Sequence, residues 1–242
     1  MKNLVFGALI VGAAGTGCII TTDNGENAHL TASWSVKSLS TGASAACPAD
    51  LQFDTAALYS QEVDSLGNNI GAPIIDLFNC EQGTGTSAAL PPSTYYAWIE
   101  ITNHDNSVLY AQSVAAHVDL VDTDKSFSAQ LLSDGGYFQL SWNLQDAVTS
   151  QPLLCADAPD IGGLESIATE VGNPQNFASD IFQCEDHTGI TAGFLSGNYT
   201  VNVHGIDHAN PPGQVGPGTN LTNKAIQAPN KVTNLGTITV PI

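Results

Sequence analysis

The chain has no arginine and only five lysines against 23 carboxylates, a formal net charge of −18 over 242 residues. Nucleic acid is held through lysine and arginine contacts to phosphate, so that class of partner is excluded. There is also no basic cluster for an electrostatic hold on anionic lipid. No segment carries apolar residues at helical period. Gly-x-Ser-x-Gly and comparable nucleophile motifs are missing, and without arginine the binding of an oxyanion would rest on a few lysines and backbone amides. The composition therefore points away from an enzyme.

What the chain does have, it has twice. Trp34 precedes Cys47 by 13 positions, and Trp142 precedes Cys155 by 13. Asp76-Leu77-Phe78-Asn79-Cys80-Glu81 returns as Asp180-Ile181-Phe182-Gln183-Cys184-Glu185. A tyrosine follows each of those cysteines by 15 residues, Tyr95 and then Tyr199. Self-similarity of this kind marks repeated structural units. It predicts two copies of one small domain, residues 29–133 and 134–242, each with its own cysteine pair.

Residues 1–17 have the three-part form of an export signal: Lys2, the apolar stretch Leu4 to Ala14, and Gly15-Thr16-Gly17 before Cys18. The apolar stretch is shorter than the ~20 residues of a membrane-spanning helix. On these residues the N-terminus resembles a Gram-negative bacterial lipoprotein signal, in which a small residue precedes the cysteine that is acylated. Gly15 departs from that pattern, where leucine is usual. The resemblance implies lipid on Cys18, membrane attachment through it, and a mature chain that begins there. Ile19, rather than aspartate, implies outer-membrane sorting by the same likeness. Residues 18–28 then read as a lipidated tether, polar from Thr21 onward.

With Cys18 given to lipid, four of the five cysteines remain, two per repeat. Four cysteines allow three connectivities, and the repeat selects Cys47–Cys80 with Cys155–Cys184. Such bridges predict an oxidising compartment, the periplasm or the cell surface. There the acidity serves solubility and mutual repulsion.

The repeats open on strands. Leu30, Ala32, Trp34 and Val36 alternate with polar residues, and Phe138, Leu140, Trp142 and Leu144 take the matching places. Short apolar runs are punctuated by Ser65 to Pro73, Pro91 to Thr94 and Asn210 to Thr219. Regularly punctuated short strands predict an all-β sandwich or barrel. Ser126 to Leu132 and Leu235 to Ile242 are expected as the last strands of the two units, and Pro211 to Gly218 as a Gly- and Pro-rich loop insertion. The segment from Leu90 to Ile99, matched by Phe194 to Val203, resembles the turn-x-Tyr-alternating strand of prealbumin-like and immunoglobulin-like sandwiches of surface proteins. That likeness implies two tandem antiparallel β-sandwiches serving as binding or spacer modules.

Several residue groups are candidate sites. On the strand after Tyr95, the outward positions are Tyr96, Trp98 and Glu100, where repeat 2 has Thr200, Asn202 and His204. Two aromatics beside a carboxylate suit stacking on a sugar or anchoring a protein partner. His187, His204 and His208, with His104, do not have the convergent spacing of a zinc site. His204 and His208 read as a solvent-exposed strand-and-loop pair. Asp119, Asp122 and Asp124, with Asp105 nearby, supply oxygens for calcium without an Asp-x-Asp-x-Asp-Gly pattern. The doublets Asp76/Asp180 and Glu81/Glu185 recur beside the disulfides, and such acids bond turn amides as readily as they would a cation. No cofactor is expected. Three functions follow in order: a binding module for protein or glycan, a structural spacer, and a calcium-dependent adhesion module.

Overall fold

The computed structural model describes residues 27–121, 123–158, 160–227 and 231–242. The export signal, Cys18 and Asp122 lie outside the described residues. Among those described there is no α-helix, and no helix long and apolar enough to cross a membrane.

Repeat 1 is a sandwich of two sheets. In the first, β1 (Leu30–Lys37) sends Leu30, Ala32, Trp34 and Val36 inward and its polar residues outward. On one edge β1 pairs antiparallel with β2 (Ser44–Ala45) and β5 (Thr84–Thr86). On the other it pairs with β9 (Lys125–Leu132) along its whole length, and this pairing is parallel. The second sheet is antiparallel, in the order β4 (Ile74–Asn79), β3 (Thr55–Val63), β6 (Thr94–Thr102). Two short strands, β7 (Leu109–Gln112) and β8 (Ala116–Asp119), share the far edge of β6. The two inner faces bury one apolar cluster around Trp34, Leu58, Tyr95, Ile99 and Leu131. Each such aliphatic side chain contributes roughly 1.5–3 kcal/mol by leaving water.

Repeat 2 follows the same plan. Here β10 (Gly135–Gln145) pairs with β11 (Pro152–Leu153), β14 (Thr188–Ile190) and β15 (Phe194–Leu195) on one side. Parallel to β10 on the other side lies β18 (Val232–Pro241). The facing sheet runs β13 (Phe177–Phe182), β12 (Gly163–Glu170), β16 (Gly197–Ile206), β17 (Gln214–Ile226). Thus the chain is two tandem immunoglobulin-like sandwiches, antiparallel except for the one parallel pair in each. One expectation is corrected. Gln214 to Gly218 is not a loop but the first part of β17, a single strand where repeat 1 has two. Gly216 and Gly218 take positive φ, at 73° and 69°, and the register with β16 shifts beside them. Glycine absorbs such irregularities without a Cβ clash.

The repeated sequence marks are repeated joints. The Trp34 indole N–H donates to the Cys80 carbonyl at 2.8 Å, and Trp142 to Cys184 at 3.0 Å. Disulfides join Cys47 to Cys80 and Cys155 to Cys184, with Cα atoms 5.9 and 5.8 Å apart. Tyr95 donates its hydroxyl to the Pro91 carbonyl and Tyr199 to that of Leu195, both at 2.9 Å. This is the tyrosine corner of immunoglobulin-like sandwiches. Burial, with Glu62 nearby, pushes the Tyr95 phenol up to about 12. Asp76 accepts from the Ala88 amide at 3.1 Å and Asp180 from that of Ala192 at 3.0 Å, which is the turn-amide reading of these acids.

Candidate functional site: a cleft between the repeats

In β6, Tyr96, Trp98 and Glu100 point away from the core because Tyr95, Ala97, Ile99 and Ile101 fill it. Trp98 stands opposite Tyr59 of β3. Their rings stack with centroids 4.9 Å apart and planes 8° from parallel. The indole N–H of Trp98 donates to Glu100 Oε1 at 2.9 Å. Ring stacking and this bond together fix the indole. Tyr96 stands opposite His117 of β8 and meets its ring edge-on at 5.4 Å. Burial raises the Tyr59 phenol above its ordinary value, partly offset by the Asn106 hydrogen bond.

The β3–β4 hairpin folds over one end of this face. Buried Gln61 holds it there, donating from Nε2 to the Ile70 carbonyl at 3.1 Å. Gly67 at the hairpin tip approaches the Tyr96 hydroxyl, so that a Cβ there would lie 3.6 Å from it. At the other edge, Ser113 separates β7 from β8. It accepts from the Ile99 amide and donates to the Val114 carbonyl, both at 3.0 Å.

Repeat 2 closes the site. Gln139 of β10, Thr188 and Ile190 of β14, and Val232 at the start of β18 form a wall facing Tyr96 and Trp98. The cleft has a volume of about 530 Å³, inside the ~300–1,000 Å³ range of small-ligand sites. Two other hollows, of about 490 and 350 Å³, lie within repeat 1 and take no residue from repeat 2.

Among the described residues, the cleft lining carries no ionisable side chain apart from the Tyr96 phenol. The polar groups there are amides and hydroxyls. Thr188 donates to the Leu140 carbonyl at 3.1 Å, which leaves its oxygen able to accept. The side-chain amides of Asn69 and Gln139 have no hydrogen-bond partner among the described residues.

The junction between the repeats carries one charged clasp. Asp134 accepts from the Leu39 amide at 2.6 Å, from the Ser40 amide at 3.1 Å, and from the hydroxyls of Ser38 and Ser40. Burial alone would raise this carboxyl, but the hydrogen bonds from Ser40, Leu39 and Ser38 hold it at about 2.

The structure therefore brings Tyr96 and Trp98 into the cleft and leaves Glu100 outside its lining, where it anchors the indole. Sequence reading missed Tyr59, Gln61, Asn69, Gln139, Thr188 and Ile190. Nothing in the sequence brings β10 and β14 across from β6.

The histidines do not converge. His104 is exposed, 3.6 Å from Asp54, and His187 and His208 are exposed on turns. His204 corrects the expectation of a solvent-exposed pair, since its side chain is only 4% exposed. Its ring meets Glu165 Oε2 at 3.0 Å and Asn202 Oδ1 at 2.6 Å, and Ser179 donates to the same glutamate. Gly218 of β17 packs against its Cβ, which the sequence pattern of β16 alone does not reveal. Among the described residues no three His, Cys, Asp or Glu side chains are grouped to hold a metal ion. Asp124 is occupied in accepting the His29 amide at 2.7 Å.

No protein-family model matches the chain, and no curated protein does. Among solved structures it is similar to a leucine-rich repeat protein from Bacteroides thetaiotaomicron, at 9% identity and a TM-score of 0.40. That match covers 90% of this chain and 26% of the other, so the chain spans about a quarter of that protein's length. It is similar to the minor pilin of Streptococcus agalactiae at 13% identity and a TM-score of 0.31, over 89% and 97% of the two chains. Two B repeat units of the collagen binding protein of Staphylococcus aureus align at 9% identity and a TM-score of 0.33, over 86% and 49%.

Proposed function

We propose that this chain is an exported, non-catalytic binding module, lipid-anchored through Cys18 in the outer membrane, that holds its ligand in the cleft between the two repeats. One observation carries the binding role: Tyr96 and Trp98, fixed on a rigid sheet face, look across about 530 Å³ at the amide, hydroxyl and aliphatic groups of repeat 2. Aromatic anchors in a concave site with a few aimed polar groups are the usual form of a recognition site. The two disulfides support an extracellular or envelope location for such a module.

Crosslinking recovery from intact cells tests the reading, with the native protein beside a Tyr96→Ala, Trp98→Ala double variant. A partner recovered with the native form and lost with the variant supports it. Equal recovery from both leaves the spacer role in its place. Fatty-acid labelling of the native chain and of Cys18→Ser checks the anchor separately.

A further inference from the structure

We infer that the cleft ligand is an uncharged glycan, with a sugar ring seated on Trp98 and its hydroxyls bonded to Asn69, Gln139 and Thr188. This rests on the cleft reading above. The chain carries 23 carboxylates and a net charge of −18, yet among the described residues no carboxylate lines the cleft. An anionic glycan would enter against the field of the whole protein. A cationic ligand would find no carboxylate on the walls for a charge-assisted bond.

The groups that are present match a pyranose. Its C–H face is apolar and sits against an aromatic ring, while its hydroxyls both donate and accept. Side-chain amides offer one acceptor and two donors each, which suits that dual character without charge. Asn69 and Gln139 have these valences unfilled among the described residues. A peptide strand would instead need exposed backbone to pair with. On the wall of repeat 1, β6 is paired on both edges, by β3 and by β7 and β8, so among the cleft strands described a strand could add to the short three-residue edge of β14 in repeat 2.

The test is a glycan array bearing uncharged, uronate-containing and sialylated oligosaccharides, probed with the soluble chain and with Trp98→Ala, Gln139→Ala and Trp98→Phe. The expected result is capture on uncharged glycans alone, weakened about tenfold or more by Trp98→Ala. Gln139→Ala weakens it from the other repeat, and Trp98→Phe, which keeps an aromatic face, restores part of it. Near-ultraviolet circular dichroism identical to the native chain shows that the variants fold. Capture confined to charged glycans, no capture, or capture indifferent to Trp98 overturns the inference. The cleft reading falls separately, only if the crosslinked partner survives the Tyr96→Ala, Trp98→Ala double variant.

Discussion

The Asp134 carboxylate accepts the Leu39 amide hydrogen at 2.6 Å. Leu39 lies in the turn after β1 of repeat 1, and Asp134 stands one residue before β10 of repeat 2. With the Ser38 and Ser40 hydroxyls on the same carboxylate, the bond ties one repeat to the start of the next. The repeat 2 wall of the cleft begins on β10, just past Asp134, while the repeat 1 wall is the β3–β6 sheet that faces β1 across the core.

Replacing Asp134 by Ala therefore loosens the junction. The native carboxyl is held at about 2, below its unfolded value of about 3.9. A depressed carboxyl stabilises the fold above the unfolded value, and that contribution fades as pH falls through the folded one. Thermal unfolding should show native above Asp134→Ala at pH 7, with the gap closing between about pH 4 and pH 2. A gap that holds constant down to pH 2 would refute the clasp.

Asp180 has the opposite sign. Burial raises its carboxyl, only partly countered by the Ala192 amide, and its Oδ2 has no hydrogen-bond partner among the described residues. The folded state then binds a proton more readily than the unfolded one, so native stability gains from this residue as pH falls. Against Asp180→Asn, which keeps the acceptor for Ala192, the native melting temperature should rise relatively from pH 7 to pH 3. A pH-independent difference would show that the carboxyl is not strained.

The glycines that face the repeated phenylalanines test packing. A Cβ on Gly85 would lie 2.6 Å from the Phe78 ring, and one on Gly189 would lie 2.5 Å from that of Phe182. Each ring also meets its core tryptophan, at centroid distances of 6.0 and 5.5 Å. Overpacking of this kind costs about 1–3 kcal/mol. Gly85→Ala and Gly189→Ala should each destabilise by that amount in urea unfolding, and similarly to one another.

The disulfides close loops with sequence separations of 33 and 29. Chain entropy assigns each about 4 kcal/mol. Paired serines at Cys47 and Cys80 should lower the unfolding free energy of repeat 1 by about that much, with repeat 2 unchanged. Unfolding followed by the near-ultraviolet signals of Trp34 and Trp142 separates the two.

Much of this architecture is legible in the sequence because the repeat reports it. Trp34, the Cys47–Cys80 pair and Tyr95 all lie within one repeat and recur at matching places in the next, so comparing the two copies singles out these residues, though not the bonds Trp34 and Tyr95 make. The outward face of Tyr96 and Trp98 is legible from period-two alternation. The cleft is not, because it joins β6 to β14, 90 residues away, and no periodicity encodes which faces of two sandwiches meet. His204 escaped for a related reason. Strand alternation puts it outside, and the bulged β17 that covers it is irregular at two glycines.

Glu100 lies outside the cleft lining, and its contribution is to orient the Trp98 indole through the 2.9 Å bond. It is a positioning residue, so its charge is not what the ligand reads. Glu100→Ala should free the indole and weaken ligand recovery several-fold, a loss on the order of 1 kcal/mol. Glu100→Gln retains an acceptor oxygen at the same place and should restore recovery to near the native level. If Gln fails as badly as Ala while both variants melt with the native chain, the carboxylate itself touches the ligand, and the charge-free description of the cleft has to be abandoned.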